Sequence, residues 1–528
     1  MRPRGLAARC LAVLGLWGLL VASACAAPPS EAQALHVLNR LAYGPTPSDM
    51  EHIRQIGIDG YIDEQLHPDR ISLPAALQHR LDALGSTHLS QRELMAQFRE
   101  ARQARGAGEP DPAKRRELHE RETLESGEKR LLQAVESPRQ LQEVMVDFWF
   151  NHFNVYSGKG LDHVLVENYE REAIRPHVMG RFRDLLGATA HHPAMLFYLD
   201  NWLSSAAVQP SAAGAVARGK AVGLNENYAR ELMELHTLGT EGGYTQRDVA
   251  ELARMLTGWT LDLRGHGSSD SAFVFDARRH DNGDKDWLGR HVIGRGQAEG
   301  EWALDVLASH PATAHHLAYE LAQYFVADEP PAALVDRLAK RFADTDGRID
   351  AVLKTLFDSA EFRDPAIRSG KFKTPYRYVV SSMRAAQLPV ANVRPLLGTL
   401  HQLGMPLYGC QTPDGYKNTE QAWLNPDAIT RRIGFATALA SGKLPLARPT
   451  QTPDAPGGGR HPPRAQSRQA ERSGLRIDPD GITPPVEAQG LLAVLGDTIS
   501  VRTSAAIAQA DPPLRAALVL GSPDFMRH

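Results

Sequence analysis

Residues 141–156 read LQEVMVDFWFNHFNVY, and this stretch decides the fold class. Apolar residues lie nearly all round its helical wheel, which is typical of a helix buried inside a large protein. Helical patterns dominate the remaining chain. In residues 245–259, for example, Thr245 and Asp248 form a capping pair before an apolar repeat at helical spacing. No convincing strand ladder accompanies them, so the sequence predicts an all-α protein, a large multi-helix body with long loops.

The overall composition is that of a globular protein with an apolar core. Hydrophobic residues make up 42% and charged residues 23% of the 528 residues, which are ordinary proportions. The 59 Lys and Arg residues nearly balance 62 Asp and Glu residues, for a formal net charge of -3. This balance gives no electrostatic reason to propose nucleic acid as a partner.

The N-terminus has the pattern of a secretory signal peptide over residues 1–26. Early arginines, an apolar run at 11–21 and small residues at 22–27 match the basic region, the hydrophobic region and the cleavage site. The apolar run is too short to remain as a membrane-spanning helix. We therefore expect a periplasmic or secreted protein with no transmembrane span after signal removal. Cleavage before Cys25, with lipid attachment there, is the second alternative, because the residues before it lack the usual leucine.

Composition divides the rest of the chain into three parts. Residues 27–445 are predicted to form the helical body, with a candidate internal boundary near residue 300. Residues 446–485 crowd Pro and Gly together and nearly lack apolar residues, which predicts a disordered linker or excursion. Residues 486–528 are apolar again and are expected to form a C-terminal helical segment that rejoins the body.

Residues 223–239, GLNENYARELMELHTLG, are the richest candidate for a functional segment. On a helix at about 100° per residue, Asn227, Glu231 and Glu234 share one face, within roughly 60° of each other, and Arg230 flanks them. Such a stripe has three alternative roles. It binds a divalent cation through oxygen ligands, acts as an acid–base pair with separated pKa values, or fixes helix packing as an ion-pair network.

Where that helix ends determines whether His236 can lie beside Glu231 and Glu234. His236 lies roughly opposite them on the wheel, so it is not a co-ligand unless the helix ends before it. Gly239 is the residue that would supply such an end.

Two further segments carry histidines in polar or aromatic surroundings. Burial among the aromatics of residues 147–153 favours a neutral His152, which is then either a metal ligand or general base or a core histidine bonded to a backbone carbonyl. Residues 275–285 form a polar loop that clusters His280, Asp281 and Lys285 but fails the calcium-loop template.

Several of these motifs together resemble the bacterial DUF1800 family. The resemblance rests on residues 225–227, 229–231 and 234–239, and it extends to residues 38–46, 148–153, 193–196 and 522–525, to His280-Asp281 and Lys285, and to Trp423 and Arg431. It covers nearly the whole mature chain. It implies an exported protein whose gene often neighbours that of another exported protein, which is an expected partner, and it implies no reaction.

Two functional hypotheses follow. The first is an extracytoplasmic enzyme that acts on an envelope or extracellular polymer such as a glycan, through acid–base or metal-assisted chemistry. Its predicted catalytic residues are Glu231, Glu234, His152, His280 and Asp281. Its predicted substrate contacts are Arg230, Asn225, Asn227, Trp149 and Asn151. One divalent ion is the candidate cofactor, with ligands Glu231, Glu234 and His152.

The second hypothesis is a non-catalytic helical scaffold or partner protein of an exported complex. The glutamates and Arg230 then form a structural network, and His152 is a core residue. The two hypotheses differ in geometry. The enzyme requires these side chains to meet around one solvent-reachable cavity, whereas the scaffold leaves them scattered or sealed against arginine.

Overall fold

The computed structural model describes residues 30–102, 112–206, 223–263, 265, 270–447 and 483–528. The predicted signal peptide and nearly all of the predicted linker at 446–485 lie outside these residues. The structure is 63% helical and 4% strand, which confirms the predicted all-α class.

The described residues contain 23 α-helices joined by loops and short 3₁₀ turns. The first eleven are α1 Glu31–Leu41, α2 Pro47–Gln65, α3 Ala75–Asp82, α4 Gln91–Arg102, α5 Pro112–Glu136, α6 Gln140–His152, α7 Asp162–Tyr169, α8 Phe182–His191, α9 Pro193–Tyr198, α10 Asn227–Glu234 and α11 Gln246–Met255. The remaining twelve are α12 Gln297–Ala308, α13 Pro311–Phe325, α14 Ala332–Asp344, α15 Ile349–Phe357, α16 Ala360–Arg363, α17 Pro375–Ala385, α18 Arg394–Gln402, α19 Glu420–Trp423, α20 Pro426–Ala440, α21 Ala488–Leu495, α22 Val501–Gln509 and α23 Pro512–Leu520.

Two small antiparallel hairpins interrupt the helices. They consist of β1 Trp259–Leu261 with β2 Phe273–Phe275, and of β3 Lys285–Trp287 with β4 Arg290–Val292. No strand was predicted in this region from the sequence. Each strand has three residues, which is too short for the alternating pattern that identifies a strand in a sequence.

Local sequence signals explain several helix starts. Thr245 caps α11 by accepting from the Asp248 backbone N–H, and the Asp248 carboxylate accepts from the Thr245 backbone N–H. This is the predicted capping pair, and it is confirmed. His192 caps α9 in a similar manner, because its ring accepts from the Ala194 backbone N–H.

One apolar core joins the two ends of the described chain, from Ala34 to Met526. α6 lies within it, and Val144, Met145 and Trp149 are fully buried, as the sequence of this stretch predicts. Residue 300 lies inside α12, which packs on α8 and α11. In the C-terminal segment, α23 packs on α20.

A buried ion-pair network fixes α6 against its neighbours. Arg175 donates to both carboxylate oxygens of Glu143 on α6, at 2.6 and 3.0 Å, and also to Glu170 at 3.0 Å. Arg130 on α5 bonds Glu170 and reaches Asp147 on α6 at 3.1 Å. Burial raises the pKa of Glu170, but the two arginines outweigh that effect and hold the pKa below its usual value.

We expect Arg130→Met to lower the free energy of unfolding by about 3–5 kcal/mol, because Glu170 and Asp147 lose a buried counter-charge. Urea unfolding followed by circular dichroism at pH 7 measures the change. Arg181→Met is the control, since Arg181 forms an exposed pair with Asp346 and its loss should cost under about 1 kcal/mol. Equal effects of the two substitutions would show that the buried network is not a major source of stability.

Candidate functional site

A cavity of about 230 Å³ opens where α6, α10, α13 and the loop between α18 and α19 meet. Charged and imidazole side chains dominate its polar lining, and they are Asp147, His152, Glu234, His316, Glu320, Asp414 and Lys417. The Glu320 side chain is 31% exposed, so solvent reaches the cavity.

His152 and Glu320 form the closest pair in this cavity. The His152 Nδ1 atom lies 2.7 Å from the Glu320 carboxylate, and Nε2 lies 3.2 Å from the His236 carbonyl oxygen. Each ring nitrogen of His152 therefore lies within hydrogen-bond distance of an oxygen atom. Glu320, which is far away in the sequence, supplies one of these two contacts.

Burial raises the pKa of Glu320, but the charge and hydrogen bond of His152, together with His316, outweigh it. The pKa of Glu320 therefore lies below its usual value. His316 is 3.6 Å from the same carboxylate, one turn before Glu320 on α13.

The residues that follow α10 contact His152 and His316. The backbone N–H groups of Leu235 and His236 both donate to the Glu231 carbonyl, and the helix ends at Glu234. The helix therefore ends before His236, which was the alternative that the sequence left open. The carbonyls of Leu235 and His236 accept from His316 and His152 respectively. Imidazole donors at a helix C-terminus are favoured by the partial negative charge there.

Gly239 closes this turn against α13. Its φ is +78°, and a Cβ atom there would lie 3.1 Å from the His316 ring. A side chain would thus both strain the backbone and displace His316. His236 itself is buried, with Nε2 unbonded, and its pKa is well below the usual value because of burial and the nearby His152 and His316.

Three carboxylates approach one another beside the cavity. Glu234 and Asp414 line it, and Glu231 interacts electrostatically with both. Burial, followed by the charge of Glu234, raises the pKa of Glu231. Asp414 shows the opposite shift, because hydrogen bonds with Lys417 and Thr412 outweigh the effect of burial and lower its pKa.

The loop that carries Asp414 is fastened to α6 by side-chain amides. Asn151 donates to the Tyr416 carbonyl at 2.8 Å and accepts from the Tyr416 backbone N–H at 2.7 Å. Gly415 has φ +65°, and a Cβ atom there would lie 2.3 Å from the Asn151 carbonyl oxygen. The close approach of loop and helix therefore requires glycine at this position.

The other predicted substrate contacts do not line the cavity and bond to other parts of the protein. Asn225 accepts from the Asn227 backbone N–H, and Asn227 donates to the Leu199 carbonyl. Arg230 bonds Glu226 and Gln246. Trp149 is fully buried and donates to the Val178 carbonyl at 3.2 Å. Of the five residues, Asn151 is the one that lines the cavity.

His280 and Asp281 belong to a separate cluster. The His280 ring bonds Glu299 and, at 2.8 Å, the Thr257 carbonyl, while Lys285 donates to Glu299 at 2.8 Å. The side chains of His280, Lys285 and Glu299 are 0% exposed. Asp281 pairs with Arg254 at 2.8 Å. The structure therefore does not bring these two predicted catalytic residues together with His152. His280 belongs to a sealed ion cluster, and Asp281 pairs with Arg254.

Two of the three predicted metal ligands, His152 and Glu234, line the cavity, and Glu231 lies beside them. In the described parts of the chain, no group of three or more His, Cys, Asp or Glu side chains is arranged to hold a metal ion. Both ring nitrogens of His152 lie within hydrogen-bond distance of oxygen atoms, which are those of the Glu320 carboxylate and the His236 carbonyl.

Several cavity residues were not predicted from the sequence. His316 and Glu320 stand four residues apart on α13, and that spacing is the signal that would have identified them. Asp147 lies in the aromatic stretch of residues 141–156. Asp414 and Lys417 lie in an irregular loop, where no helical or strand period marks them.

The described residues thus form a helical body with a cavity that carboxylates and imidazoles line. The family model described as "Protein of unknown function (DUF1800)" matches residues 36–527, so the chain belongs to that family. Neither a curated protein nor a solved structure matches the chain. In the described residues, no helix is both long and apolar enough to cross a membrane.

We expect Glu320→Gln to lower the free energy of unfolding by about 1–3 kcal/mol at pH 7, because a charged hydrogen bond is lost. A carboxylate whose pKa is lowered by folding stabilises above its unfolded value, and that stability is lost as the pH falls through the folded value. The difference from wild type should therefore shrink below about pH 4.

Urea unfolding at several pH values measures this difference. Glu329→Gln is the control, since Glu329 is exposed just beyond α13, and it should change stability by under about 0.5 kcal/mol at every pH. A Glu320→Gln deficit that stays constant down to pH 3 would contradict the assigned His152–Glu320 pair.

Proposed function

We propose that the protein is an exported enzyme that cleaves a glycan of the envelope or the extracellular space by carboxylate acid–base chemistry. The observation that carries the proposal is the meeting of Glu234 and Asp414 at one cavity, with Glu231 beside them. These carboxylates come from a helix and from a loop far apart in the sequence. Export is expected from the N-terminal sequence pattern.

The opposite pKa shifts of Glu231 and Asp414 suggest their roles. A carboxylic acid with a raised pKa keeps its proton and serves as the general acid, whereas a carboxylate with a lowered pKa serves as the base. In glycoside cleavage the acid protonates the leaving oxygen, and the base takes a proton from the attacking water. Glu234 is neither the acid nor the base in this scheme. Its charge helps to raise the pKa of Glu231.

The His152–Glu320 pair then has a positioning role. His152 bonds the His236 carbonyl and His316 bonds the Leu235 carbonyl, so both histidines hold the turn that follows Glu234. A fixed turn keeps the glutamate in one orientation relative to the loop, and catalysis depends strongly on such orientation.

The lining of the cavity favours a neutral or amino-bearing sugar. The four cavity carboxylates outnumber its one lysine and disfavour an anionic polymer, while amides and hydroxyls such as those of Asn418 and Thr240 suit sugar hydroxyl groups. A volume of about 230 Å³ is below the usual range for ligand pockets. We therefore expect one sugar unit to enter, such as a chain end or a side branch.

A non-catalytic scaffold is the second candidate, and one observation favours it. His152 and His316 are both engaged with backbone carbonyls, as structural histidines are. In that case the cavity carboxylates serve only packing and solubility.

We expect the purified protein to release reducing ends from at least one neutral or amino-sugar polysaccharide. Glu231→Gln and Asp414→Asn should each lower kcat/KM by about 100-fold or more, because the proposed general acid or the proposed general base is lost. The exposed Glu329→Gln should retain wild-type activity. Full activity of both the Glu231 and the Asp414 variant, or no hydrolysis of any polymer tested, would favour the scaffold.

We expect a chelator to leave this activity unchanged, because the proposed chemistry moves protons between carboxylates. Elemental analysis of the purified protein, with Glu231→Gln and Glu234→Gln compared, separates this chemistry from the metal-assisted version. A divalent ion that is present in the wild type, required for activity and lost in both variants would replace acid–base chemistry by metal-activated water.

A further inference from the structure

A second cavity, of about 270 Å³, lies where α1 meets the C-terminal residues. Its polar lining comes from His36 and Asn39 on α1, from Arg368 and Ser369 after α16, from Thr498, and from His528. Positive charge surrounds this cavity, in contrast to the acidic first cavity.

Arg40 is the most unusual of the neighbouring cations. It follows His36 by one helical turn on α1, and it is 0% exposed. Its Nη2 donates to the Ile367 carbonyl at 2.8 Å, which brings the guanidinium beside the segment that lines the cavity. Its Nε and Nη1 atoms have no hydrogen-bond partner, and neither has the buried Nε of Arg368. Unpaired guanidinium groups away from water are costly, so they call for a compensating anion.

Further cations lie behind Asn39. Arg377 donates to the Asn39 carbonyl at 2.9 Å, and the ring of His528 bonds the same carbonyl at 3.2 Å. Lys373 is buried above the Phe525 ring, 3.9 Å from its centre. Lys371 pairs with Asp328, a carboxylate that also acts on Arg40.

The pKa values of His36 and His528, the two imidazoles that line the cavity, are lowered by burial and by the same positive charges. Burial, followed by the charge of Arg40, lowers the pKa of His36 to about 4. Burial, followed by Arg377 and Arg40, places the pKa of His528 well below its usual value. Both rings are therefore neutral at pH 7, although they lie beside several arginines and lysines.

We infer that this cavity binds a small tetrahedral oxyanion of the phosphate type, held by Arg368 and the neighbouring Arg40 and facing His36 and His528. Guanidinium groups form paired hydrogen bonds with phosphate oxygens. A bound anion would neutralise charge that the described side chains leave unpaired. The phosphate group is either free phosphate or the phosphoryl group of a larger molecule.

Calorimetric titration of the purified protein with inorganic phosphate tests this inference, with sodium chloride of equal ionic strength as the reference. We expect saturable phosphate binding and no saturable chloride binding. Arg368→Gln should weaken the binding by about tenfold or more, since one charged hydrogen-bond donor is lost. Arg278→Gln, which changes the same charge at an exposed position paired with Asp276, should bind as the wild type does.

Thr498→Glu is a second variant that does not remove a buried cation. Its carboxylate would enter the cavity and compensate the arginines, so phosphate binding should be lost while the melting temperature is kept or raised. Glycerol phosphate distinguishes free phosphate from a phosphoryl group as the natural ligand. If it binds as tightly as phosphate, the ligand is a phosphoryl group on a larger molecule. If it binds more weakly, the ligand is free phosphate. Absent phosphate binding in the wild type, or unchanged binding in both cavity variants, would overturn the inference.

Discussion

The position of α6 depends on the buried pairs that Arg130 and Arg175 make with Glu143, Asp147 and Glu170. Charges in an apolar interior are tolerated only in such compensated sets, and a compensated set admits few alternative geometries. Asp147 belongs both to this network and to the cavity wall. The buried ion pairs that fix α6 therefore also fix the side of α6 that lines the cavity.

Three polar side chains of α6 contact different partners. Asp147 points to Arg130, Asn151 holds the loop at Tyr416, and His152 contacts Glu320. Each partner lies on a different segment of the chain. The cavity thus lies where hydrogen bonds join α6 to α13, to the end of α10 and to the Asp414 loop. Its shape follows from those hydrogen bonds.

Sequence alone could identify the fold class and part of the cavity. The helical class, the burial of α6 and the cap of α11 follow from local patterns, because periodicity and capping are local properties. His152, Asn151 and Glu234 were found because they lie in motifs that concentrate polar residues. Glu320 and Asp414 were not found, since their roles arise from tertiary contacts with no local signature.

The same reasoning explains why two predicted catalytic residues lie elsewhere. A polar loop with His280, Asp281 and Lys285 has the composition of a site, but Glu299 on α12 neutralises it inside the core. Composition cannot distinguish a sealed ion cluster from an open one, because the distinction depends on the helix that covers it. The two cavities also differ in charge, although the net charge of the whole chain is close to zero.

The central claim is that the cavity beside Glu234 and Asp414 receives a sugar. A crystal structure of the Glu234→Gln variant, soaked with neutral oligosaccharides, tests it most directly. The account predicts a sugar ring in this cavity, with an oxygen about 2.6–3.2 Å from the Asp414 carboxylate or from the amide that replaces Glu234. A sugar bound at another surface, with this cavity unchanged, would contradict it.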